Sequence, residues 1–257
     1  MPPKRVMAMI TGSLLCLVTQ NPASKPNVGQ LLSSLQSERW VDRADAYDEL
    51  RSDPAAISSA NVREKLLQLL DRENHVIESN LRESQNQAGA EDKFGEEYAE
   101  YVAGLGETVD SFADWNDTRQ VCIYVHEPYN PESRFATKIA SHGKVALPCL
   151  FRMYDSDLPL LRAEASPVIV QALAKSKEAL DARTIRDAKQ LVIKALRDPD
   201  NAVRINTVQA LGAYGRQDMI PALERVAETD PSPEVNGYSI RKWATEAIAA
   251  INARARE

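Results

Sequence analysis

The chain is predicted to be all-α: a solenoid of stacked helical hairpins interrupted by an irregular, mainly helical segment. Three observations predict it. In residues 191–225 apolar side chains recur at spacings of three, four and seven, the period of an amphipathic helix. The same helix, acidic turn, helix pattern returns elsewhere in the chain, and such hairpins bury their apolar faces only by stacking on one another. Aromatic residues make up only 6% of the chain while Ala and Leu abound, which suits closely packed helices.

The organising hairpin is the clearest. Leu191, Ala195 and Leu196 line one face of its first helix; Val203, Thr207, Ala210 and Leu211 line one face of its second. Asp198-Pro199-Asp200 parts the two, because proline does not sit inside the preceding helix and aspartate caps the following one. Gly212 and Gly215 are expected to stop the second helix, and Pro221 to open the next.

Taken in order, the chain begins with a basic pair, Lys4-Arg5, ahead of the mostly apolar residues 6–18. That is the layout of a secretory signal peptide, too short to span a bilayer, so residues 1–23 are read as a leader removed after Ala23. The mature protein is then expected to be periplasmic or secreted, with no stable membrane span. Its two remaining cysteines, Cys122 and Cys149, would be free to form one disulfide in an oxidising compartment.

Residues 28–87 are read as two degenerate hairpins. Leu35, Arg43 and Leu50 overlay Leu196, Arg204 and Leu211; in the next unit Val62, Leu66, Leu69 and Leu70 form one stripe, and Val76, Ile77 and Leu81 a second after a turn at Asp71. Residues 88–144 fit no repeat. Nine acidic residues against Lys93 alone fall within residues 91–117, where Tyr98, Val102, Leu105, Val109 and Phe112 still mark a helix that Gly104 and Gly106 weaken. Residues 121–125 (VCIYV) read as helix or strand after a capping pair, Asp117 and Gln120. A further helix through Phe135, Ala136, Ile139 and Ala140 ends at Gly143. Hairpins resume in residues 145–257, with a turn at Asp155-Ser156-Asp157, an expected kink at Pro167, and a longer connection around Asn236-Gly237-Tyr238.

Leu196, Asp198, Val203-Arg204, Ala210-Leu211-Gly212 and Ile220-Pro221 resemble a HEAT-type repeat, including the HEAT-like repeats of phycobilin lyases. The resemblance implies a ladder in which turn aspartates and the arginines six positions later exchange charged hydrogen bonds between units. It implies a fold and little about activity. HEAT-like iron hydroxylases hold metal through repeated His-Glu dipeptides; only His126-Glu127 is present here, outside the repeats.

No metal-ligand spacing, nucleophile motif or phosphate-binding loop is found, so no metal, cofactor or catalytic residue is assigned. Cys122 and His126, four apart, would share a helix face as a thiol and base, although a buried structural cysteine accounts for the pair better. The formal charge of −6 disfavours a nucleic-acid partner. Trp115, Tyr129 and Arg134 cluster in the acidic segment as candidate anchors for a protein partner of basic character; the other reading is that such residues pack an irregular segment against its scaffold. The expected function is therefore a non-enzymatic interaction scaffold; the alternative is an enzyme or enzyme subunit of the phycobilin-lyase type.

Overall fold

A computed structural model describes residues 27–86, 95–116 and 134–256, apart from residues 236 and 238. The expected leader, Cys122, His126-Glu127 and Tyr129, and the expected elements at residues 117–125, lie outside the described residues. Every regular element described is helical.

In the N-terminal part, α1 (Val28–Ser34) starts from a capping box in which Asn27 and Gln30 exchange hydrogen bonds. After it come α2 (Trp40–Arg51), the short α3 (Pro54–Ser58) capped by Asp53, α4 (Ala60–Asn86) and α5 (Gly95–Phe112). The expected turn at Asp71 does not form. Nothing between Asp71 and Val76 breaks a helix, and Asp71 lacks the proline that follows Asp198, so α4 runs through the site as one element. Nor do the glycines divide α5. Gly104 faces the Tyr47 hydroxyl and Arg51 of α2, at distances that leave room for a methyl group.

In the C-terminal part, α6 (Arg134–Ser141) leads into α7 (Gly143–Tyr154), α8 (Pro159–Lys175), α9 (Ala182–Ala195) and α10 (Asn201–Tyr214). A short 3₁₀ turn precedes α11 (Ile220–Thr229), and α12 (Ile240–Arg254) follows. Asp181 and Asp200 cap α9 and α10 by accepting backbone N–H groups, as their position after a turn demands. The second helices of successive hairpins stack directly: α8 on α10, and α10 on α12. Gly212 is not a stop; it lies inside α10 and faces Ala247 across that interface. Gly215 ends the helix, its N–H donating to the Leu211 carbonyl.

The middle of α8 is buried on all sides from Ala163 to Ala172, because α6 packs on the side that an uninterrupted solenoid would leave open. Pro167 lies within this stretch and removes the N–H that would serve the Ala163 carbonyl. Asn206 of α10 donates its Nδ2 to that carbonyl at 3.0 Å.

Two apolar clusters result. One gathers Leu35, Tyr47, Leu50, Leu66, Leu70 and Leu105 from α1 to α5. The other runs from Trp115 to Ile251 and centres on Leu147, Ile169, Val192, Val208 and Leu211. Ion pairs join their edges: Arg82 to Asp157, and Lys138 to Asp110 at 2.8 Å.

Candidate partner-binding surface

A repeated cradle fixes the order of the helices. Arg43, Arg162 and Arg204 each open the second helix of a hairpin and each direct Nη1 at the two carbonyls lying six and five residues back. So held, the guanidinium reaches a carboxylate further along the chain. Arg43 grips Glu73 through Nε and Nη2 at 2.5 and 2.8 Å, and Arg162 grips Asp198 at 2.8 and 3.0 Å. Arg204 donates Nε to Asp230 at 2.8 Å. The turn aspartate therefore serves the preceding arginine with its carboxylate and the arginine six positions later with its carbonyl.

Burial by itself would raise the Asp198 and Asp230 carboxyls. The hydrogen bonds from Arg162 and Arg204, with the backbone amides of Asp200 and Ser232, outweigh it and hold both below the ordinary aspartate value. Glu73 is fully buried and also accepts the Tyr98 and Tyr101 hydroxyls, at 2.8 and 3.3 Å. Burial first, and the Glu73 charge second, push both phenols far up, so they remain neutral donors. Trp40 packs edge-on to Tyr98 and stacks on Tyr101. The acidic helix α5 is thereby fastened to α2 and α4 by a specific buried network.

That fastening decides which side of α5 faces outward. Tyr98, Val102, Leu105 and Val109 go to the core; Glu96, Glu97, Glu100 and Glu107 are left exposed. Among the described residues none of these four glutamates has an ion-pair partner, and α5 contains no basic residue. Tyr47 and Thr108 hydroxyls meet at 2.9 Å where α2 crosses α5, and Asp45, Asp48 and Glu49 of α2 are exposed as well. Arg51 of α2 pairs with Asp48 at 3.0 Å.

The three residues read as anchors fare differently. Trp115 is a correction: it is only 9% exposed, stacked on the His142 ring at 5.2 Å, with Lys138 5.6 Å over its face. A ring so enclosed holds the corner between α5 and α6 and offers no surface to a partner. Arg134 opens α6, and Tyr129 lies outside the described residues. Burial, and then the Lys177 charge, lower the His142 imidazole. Cys149 is buried in α7. Among the described residues no group of His, Cys, Asp and Glu side chains could hold a metal ion, and no described helix is long and apolar enough to cross a membrane.

Residues 158–249, from the start of α8 to near the end of α12, match the family described as HEAT repeats. No curated protein matches the chain. Among solved structures, the crystal structure of an engineered protein is similar at 21% identity, covering 89% of this chain and 97% of that one, with a TM-score of 0.43.

Proposed function

We propose that this chain is an exported, non-enzymatic scaffold of HEAT type that captures a protein of basic character on the acidic face formed by α2 and α5. The observation that carries the reading is the set of exposed carboxylates, Glu96, Glu97, Glu100 and Glu107, without ion-pair partners among the described residues, on a helix whose opposite side is locked into the core. A field of one sign on a rigid support steers an oppositely charged partner and speeds encounter. Tyr129 and Arg134 supply the aromatic and planar groups that anchor such contacts. The HEAT-repeat match supports a protein-binding role, since stacked hairpins present long surfaces and hold no assigned chemistry. Nucleic acid is disfavoured as the partner because the face repels phosphate.

The test is capture from native extract on the full chain, compared with the variant Glu96→Lys, Glu97→Lys, Glu100→Lys, Glu107→Lys. A basic protein should be retained at low salt by the parent chain and lost from the variant, with unchanged circular dichroism. Equal retention by the variant, or turnover of a substrate by the purified chain alone, overturns the reading. Export is tested separately by the intact mass of the mature protein, which should lack about the first 20 residues. Alkylation of that mature protein before and after reduction tests a Cys122–Cys149 bond.

A further inference from the structure

We propose that the cleft between α8, α9 and α10 is a second binding site, which accepts one bulky apolar side chain of a partner peptide with a carboxylate beside it. Its floor is formed by Val170, Leu173, Leu180, Ile185, Leu211 and Met219. Val170, Leu211 and Met219 belong to the C-terminal core, whereas Leu173, Leu180 and Ile185 are half-buried at its edge. The cleft holds about 210 Å³. At roughly 30 Å³ per water that is about seven waters, the scale of a single large side chain. Sites for drug-sized molecules and cofactors run from about 300 to 1,000 Å³, so the size favours one anchor residue from a protein.

The rim names the neighbouring charge. Glu178 is paired with Lys144 at 3.8 Å, and Lys189 is paired with Asp218. Lys175 sits 4.4 Å over the Tyr214 ring. Among the described residues Arg216, exposed on the rim, has no carboxylate partner. With the other rim charges matched, the cation left for a ligand is this guanidinium, which suits a carboxylate bidentately. The wider field agrees. Residues 134–256 hold 19 Lys and Arg against 14 Asp and Glu, whereas residues 28–116 hold 8 against 19. An acidic peptide is therefore drawn to the half of the molecule that carries the cleft and repelled by the half that carries the acidic face. The chain would join two partners of opposite charge.

A random peptide library selected on the immobilised full chain tests this, with methyl NMR of the selected peptides bound to the same chain. The expected result is a consensus of one bulky apolar residue next to Asp or Glu, with shifts confined to the methyls of Leu173, Leu180, Ile185 and Met219. Arg216→Glu should weaken binding at least tenfold. Ala174→Trp, at an exposed position on the cleft wall, should abolish it by filling the space, and both variants should melt as the parent does. Reversing the four α5 glutamates should leave this binding intact, which separates it from the acidic-face reading. No consensus, a consensus with basic flanks, or binding indifferent to both variants overturns the proposal.

Discussion

Pro167 removes a backbone donor from the middle of a buried helix, and Asn206 supplies the replacement from the next hairpin. A buried carbonyl without a partner costs on the order of 1–3 kcal/mol, so Asn206→Ala should destabilise by about that much in urea unfolding. In a Pro167→Ala background the helix recovers its own N–H, and the same substitution should then cost distinctly less; equal costs in both backgrounds would show that the two residues are not coupled. The ladder carboxylates give a pH dependence. Asp198 and Asp230 titrate lower folded than unfolded, so their contribution is complete above the ordinary aspartate value of about 3.9 and is lost as pH falls through their folded values. Urea midpoints should therefore fall on acidification below about pH 4, and Asp198→Asn should differ from the parent less at pH 2 than at pH 6. Arg43, Arg204 and the turn aspartate Asp198 were legible in the sequence because the cradle is local. Glu73 and Asp230 were not, since they lie 30 and 26 residues from the arginines they serve.

The helices α4 and α5 show where local pattern and packing part company. The apolar stripes of residues 62–81 were read correctly as helical, but a turn was placed at Asp71 by analogy with Asp198, without a proline to enforce it. For α5 the stripe is sound, and Gly104 and Gly106 lower its helix propensity without dividing it. A methyl at Gly104 would meet the Tyr47 hydroxyl at 3.6 Å and Arg51 at 3.8 Å, ordinary contact distances. Gly104→Ala should thus stabilise by about 0.5–1 kcal/mol, the helix-interior advantage of alanine, as a higher thermal midpoint. A lowered midpoint would show that α5 packs closer to α2 than those distances allow. Trp115 sits at the end of an acidic helix, where sequence admits both a displayed anchor and a packed ring; α6 folds back over it and packs it.

Across the whole molecule, the two apolar clusters are joined at their edges by ion pairs such as Arg82–Asp157 and Lys138–Asp110. Partly exposed pairs of this kind contribute little, so each cluster should respond mainly to its own losses. Leu211 is 1% exposed in the larger cluster, and Leu211→Ala should cost about 2–5 kcal/mol there. Hydrogen exchange should register that loss in α8 to α12 and leave α2, α4 and α5 nearly unchanged. A uniform loss across both regions would mean that the molecule unfolds as one unit. The stacking of the C-terminal hairpins was the most legible feature, because capping aspartates, proline and apolar spacing all agree there. The groove-filling role of α6 was not, since a single sequence does not say against which face an inserted helix comes to rest.

The arginine cradle measures shape and not chain length. Its three rungs close loops of 30, 36 and 26 residues with the same two carbonyls behind each guanidinium. A stack governed in this way tolerates insertions and deletions between rungs, provided each arginine keeps its own turn. The connection from Asp230 to Ser239 is the natural place to exploit that tolerance. Asp230 and Ser232 complete the Arg204 rung at its start, so the splice belongs in residues 233–239, where Gly237 turns the chain at φ 79°. A foreign epitope or a small folded module spliced into that connection should be carried by the hairpins without disturbing their alignment, which makes the repeat region a mount for grafted sequence.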